Sequence, residues 1–126
     1  MKGKFGKYIE EKRKAKGMTL RGLAAELEIA PAYMSDIEKG HRYPPDKDKL
    51  EALVKILGLN SEEADKMYDL AAEEKDNAVS QDISGYIMDT DKARVALRIA
   101  RDKGLSDSSW QKVIEMLEKE QGSNNK

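Results

Sequence analysis

The 126-residue chain has room for one compact domain and an appendage, and no apolar run in it approaches the length that spans a bilayer. With 37% charged residues, and no apolar h-region after its basic first residues, it is expected to be a soluble cytoplasmic protein with neither membrane span nor secretory signal. Its lack of cysteine excludes a disulfide framework, a thiol nucleophile and a thiolate metal site.

The first strong pattern in the chain is TLRGLAAELEIAPAYMSDIEKG, from Thr19 to Gly40, which reads as two short helices about a tight turn. Thr19 is an N-cap whose hydroxyl can accept from an orphan backbone N–H. Pro31 suits a first helical position, where its missing N–H costs nothing. Gly40 is placed for a left-handed C-cap, so the second helix should run from about Pro31 to Lys39. Ala24, Leu27, Ile29, Met34 and Ile37 are spaced to bury one stripe, while Tyr33, Ser35, Asp36 and Lys39 face elsewhere. This is the pattern of a helix-turn-helix reader of DNA.

Next comes a stiff loop, His41-Arg42-Tyr43-Pro44-Pro45, because two prolines fix φ and forbid helix. Asp46 should cap a helix carrying Leu50, Leu53, Val54 and Leu57 and stopped by Gly58. Asn60-Ser61-Glu62-Glu63 opens another, with acidic residues favourably placed in its first turn and Ala64, Met67, Tyr68 and Ala71 at helical spacing. The formal charge of −1 splits along the chain. Residues 1–45 hold 10 Lys and Arg against 6 Asp and Glu, whereas residues 46–126 hold 13 against 18. A basic head and an acidic tail fit a chain that meets phosphate at one end.

The first 75 or so residues resemble the phage-repressor (Cro-like, XRE) helix-turn-helix family. The resemblance rests on FGKYIEEKRKAKG opening a first helix, Leu23-Ala24 and Leu27 in a second, Ile29, the SDIEKG run of the third, and Arg42 with Pro44 after it. It implies an all-α fold, a five-helix lambda-repressor-like DNA-binding domain ending near Glu74. It also implies an ion pair between Arg13 and Glu38 that clamps the first helix to the third. By the family's pattern Ala32, Tyr33, Ser35 and Asp36 lie nearest the bases, and Thr19, Arg21, Lys39 and Arg42 hold phosphates. Ala32 is placed to touch a thymine methyl. Asp36 is placed to accept from a cytosine amino group or, alternatively, to order a neighbouring Arg or Lys. Tyr33 either reads a base or packs its ring on the helix. Three residues depart from the family's pattern. Glu28 stands at a turn position usually held by Gly, Lys12 stands where a core Leu or Ile is common and must snorkel, and Ala30 has no oxygen with which to cap the third helix.

Residues 76–81 read as a polar linker, and 82–121 as a short C-terminal helical extension for dimerisation or partner binding. After DISGYIMDTD, ARVALRIARDKG stops at Gly104, and Ser106 caps a helix with Trp110, Val113, Ile114 and Leu117 on one face. Two helices this short cannot bury such a stripe alone, so it must meet the first domain, a second copy or another protein. Residues 122–126 are expected to be a disordered tail. An enzyme is not expected. His41 is the only histidine, an exposed loop residue or a phosphate contact, and Glu10-Glu11 and Glu62-Glu63 are neighbours that point apart. No cofactor or metal is called for. The expected partners are a double-stranded DNA operator and a second copy of the chain. The expected function is a repressor on a palindromic operator, with an antitoxin that masks a toxin, or a regulator held by a protein antagonist, as the alternative.

Overall fold

The computed structural model describes residues 3–75 and 78–120. Among the described residues there is no strand, and the helices are α1 (Lys4–Ala15), α2 (Leu20–Leu27), α3 (Pro31–Lys39), α4 (Lys47–Leu57), α5 (Ser61–Glu73), α6 (Gln81–Asp89), α7 (Asp91–Lys103) and α8 (Asp107–Lys119). The fold is therefore the all-α one that the sequence implies, five helices and a helical extension. The chain divides into two compact units between Gly85 and Tyr86.

Helix boundaries in the first unit follow from local chemistry. Thr19 Oγ1 accepts from Gly22 N–H at 2.9 Å, and Asp46 Oδ1 accepts from Lys49 N–H at 3.2 Å. Asn60 and Glu63 form a reciprocal capping box, with bonds of 2.8 and 2.9 Å. Ala30 makes no side-chain cap, so α3 starts on Pro31 alone. Glu28 takes the left-handed conformation at φ 60°, a cost for a residue with a Cβ, and the preceding carbonyl of Leu27 accepts from Lys49 Nζ at 2.6 Å. A cation at the end of α2 suits the negative end of the helix dipole.

Leu23, Leu27, Met34, Ile37, Leu50, Leu53 and Met67 meet Phe5 and Ile9 in one core. α1 packs on α3 and α5, and α2 packs on α3 and α4. Where α1 meets the end of α3 the approach is limited by backbone. A Cβ at Gly6 would lie 2.4 Å from the carbonyl oxygens of both Ile37 and Glu38. α1 has no cap of its own, and Glu74, just past α5, accepts from the N–H groups of Gly3 and Phe5 at 3.2 Å each. Lys12 lays its stem over the Tyr8 ring, with Nζ 5.3 Å from the ring centroid, and ends 2.8 Å from Glu63 Oε2. The Tyr8 hydroxyl donates to the Glu63 carbonyl at 3.0 Å. The Lys12 bond, with the Asn60 N–H behind it, holds the Glu63 carboxyl below the ordinary glutamate range.

α6 is a helix the sequence did not announce. Gly85 interrupts its pattern, at a cost near 1 kcal/mol in a helix interior. Even so, Ile83, Tyr86 and Ile87 recur at helical spacing. Arg94 closes its C-terminal end, donating to the carbonyls of Ile87 and Met88 and pairing with Asp91. Asp76 and Asn77 of the expected linker, and the expected tail 122–126, lie outside the described residues. α7 ends on Gly104 at φ 61°, and Ser106 Oγ accepts from Ser109 N–H at 3.1 Å to start α8. No residue of α7 or α8 is buried.

Two outcomes test this packing. Gly6→Ala should lower unfolding stability by about 1–3 kcal/mol in urea titration, although Ala is the better helix former, because backbone has to move. The Glu63 carboxylate contributes stability that is present above the ordinary glutamate pKa and lost as pH falls through its own lower one. The margin of wild type over Glu63→Gln in thermal unfolding should therefore shrink between about pH 5 and pH 3.

Candidate nucleic-acid interface

α3 is divided lengthwise by its sequence. Met34, Ile37 and Glu38 are buried, Tyr33, Ser35 and Asp36 are half-buried, and Ala32 and Lys39 are exposed. The outward residues are therefore the polar and small ones at i, i+3, i+4 and i+7, Ala32, Ser35, Asp36 and Lys39, while Tyr33 packs against the core.

This helix is held from beneath by a buried ion pair. Arg13 Nε donates to Glu38 Oε2 at 2.7 Å and Nη2 donates to Oε1 at 2.9 Å, a bidentate fork, while Nη1 donates to the Met18 carbonyl at 3.0 Å. The two side chains are only 9% and 4% exposed. The bond to Glu38 pushes the Arg13 guanidinium above the ordinary arginine pKa, against its own desolvation. One arginine thus ties α1 both to α3 and to the chain that leads into α2.

At the other end of α3, Gly40 at φ 81° turns the chain. Gly40 N–H donates to the Ile37 carbonyl at 3.1 Å and His41 N–H to the Asp36 carbonyl at 2.8 Å, a Schellman closure. The next residues are thereby fixed beside the helix. Arg42 lies over Tyr33, its Cζ 5.1 Å from the ring centroid, with Nε 3.7 Å from Asp36 Oδ2. His41 Nδ1 is 3.9 Å from the other carboxylate oxygen.

The structure thus brings Tyr33, Asp36 and Arg42 together and adds His41, whose place beside Asp36 only the capping geometry of Gly40 could have suggested. Thr19 spends its acceptor on the α2 cap and keeps its O–H to donate. Arg21 is exposed on the first turn of α2, and Lys39 on the last turn of α3. Trp110, Val113, Ile114 and Leu117 belong to α8 in the other unit, with Ile114 47% and Leu117 62% exposed. Among the described residues, no helix is long and apolar enough to cross a membrane.

A family model described as helix-turn-helix matches residues 9–63, from within α1 into α5. This stretch of the chain is similar to helix-turn-helix domains. Two solved structures are similar to it. The crystal structure of the clp gene regulator ClgR from C. glutamicum is 26% identical, with 58% of this chain and 90% of that chain covered, at a TM-score of 0.44. A SinR protein/SinI protein complex is 22% identical, with 90% of this chain and 94% of that chain covered, at a TM-score of 0.47. No curated protein matches the chain. The helix-turn-helix match supports a DNA-binding transcriptional regulator.

Removing the clamp under α3 has a measurable cost. Arg13→Ala strands a buried carboxylate and should cost about 3–5 kcal/mol in urea unfolding. The double change Arg13→Met, Glu38→Leu should recover most of it, since apolar side chains of similar volume remove both charges together.

Proposed function

We propose that this regulator is a repressor that binds a palindromic operator as a homodimer. The observation that carries the reading is the unburied face of α3, rigidly backed by Arg13 and Glu38. α3 enters the major groove, where Ala32, Tyr33 and Ser35 meet base edges. Thr19, Arg21, Lys39 and Arg42 take phosphates on either side, helped by the orphan N–H groups at the start of α2. Residues 1–75 form the reading domain, 76–81 link it to the extension, and 82–121 pair with a second copy. The pairing is supported by the apolar stripe of α8, which no element of its own unit buries.

The test uses the full chain and a duplex that it selects from a randomised pool. Binding should weaken with salt at a log–log slope of about −0.9 per neutralised phosphate. Ile114→Asp combined with Leu117→Asp should leave helicity intact, give a monomer in sedimentation, and lose the preference for paired half-sites. Salt-independent binding, or no selected duplex, overturns the reading. A variant that still dimerises and binds normally would assign the stripe to another protein, such as a toxin or an antagonist.

A further inference from the structure

Asp36 sits in the middle of the outward face of α3, yet Arg42 and His41 of its own chain face its carboxylate. Oδ2 is 3.7 Å from Arg42 Nε and Oδ1 is 3.9 Å from His41 Nδ1. The same residue also holds the loop by its backbone, because its carbonyl accepts the His41 N–H at 2.8 Å. Beyond Arg42 the loop is pinned again, by the buried rings of Pro44 and Pro45. The guanidinium therefore has a floor in Tyr33, a side wall in Asp36, and a backbone fixed at both ends. Its Nε edge faces the Asp36 carboxylate at 3.7 Å, and the side chain is 59% exposed, which leaves the Nη edge open to a ligand.

We infer that Asp36 is a positioning residue that acts on DNA through Arg42, aiming the two Nη nitrogens at a phosphate, and is not itself a reader of bases. The inference rests on the proposed DNA-binding reading. Three physical points favour it. A bare carboxylate at the surface of a polyanion is repelled, and pairing with Arg42 removes that penalty. The guanidinium fork has a geometry in which one edge can be held by a carboxylate while the other grips phosphate with two parallel donors. An arginine already ordered in the free protein loses less rotamer entropy on binding.

The sign of one substitution separates positioning from simple electrostatics. Deleting a negative charge that faces DNA should, by itself, strengthen binding. If Asp36 positions Arg42, Asp36→Ala should instead bind the wild-type-selected duplex roughly two- to fivefold more weakly at fixed salt, the scale of an exposed ion pair. Its salt slope should become shallower by up to about 0.9, one phosphate contact. The selected sequence should be unchanged. In an Arg42→Ala background the same change should weaken binding no further, and Asp36→Glu should restore part of the loss. Ala ranks above Asp in helix propensity, so α3 is kept, which far-UV circular dichroism and thermal unfolding verify. The inference is overturned if Asp36→Ala binds as tightly as wild type or more so, if it changes the preferred base at any position, or if its effect is equal with and without Arg42. If wild type binds no duplex at all, the DNA-binding reading itself fails. If wild type binds and only the Asp36 outcomes fail, that reading stands.

Discussion

The crossing of α1 over the end of α3 is the constraint on which the rest of the first unit depends. Gly6 lets the helices meet with no side chain between them and the carbonyls of Ile37 and Glu38. Further along α1, Arg13 reaches the side chain of the same Glu38. One contact fixes the distance between the helices, and the other fixes their register, since a fork can engage a carboxylate in few orientations. A buried pair of this kind is weak evidence for net stability, because its desolvation offsets most of the attraction. What it supplies is direction. Ile37 and Glu38 lie beside Lys39 and Gly40, so the placement of the outward face and of the loop after it is inherited from α1.

Much of this was legible in the residues, where the information is local. The caps at Thr19, Asp46, Asn60 and Ser106 and the left-handed glycines at Gly40, Gly58 and Gly104 each need only their own few neighbours, and each stands where the sequence put it. The core positions follow from helical spacing. What escaped reading depends on residues far apart in the chain. Gly6 reads as a weak spot in an amphipathic helix until α3 is laid against it. Glu74 reads as one more charge at the end of α5, and nothing local says that it caps a helix about seventy residues earlier. α6 escaped for another reason, since Gly85 lowers its propensity and its C-terminal end is closed by Arg94 from the next helix.

The outward face of α3 shows a related limit. The residue types on α3 and in the loop after it suggest their roles one by one, whereas the structure joins Tyr33 and Asp36 of the helix with His41 and Arg42 of the loop into a cluster. Side chains that meet across a helix cap are nearly adjacent in sequence. Their meeting still depends on the backbone path through Gly40, a conformation that a list of residue types does not contain.

The carboxylate of Glu74 on the N–H groups of Gly3 and Phe5 bears on how the domain is made. Chain leaves the ribosome from its N-terminal end, so α3 and its loop emerge before the residue that completes α1. Glu63, the partner of Lys12, also arrives late. Until α5 has cleared the exit tunnel, α1 lacks both its cap and its second packing surface, and the platform under α3 is unfinished. The helix-turn-helix segment therefore gains its finished support only once α5 has been synthesised, although its own helices emerge earlier.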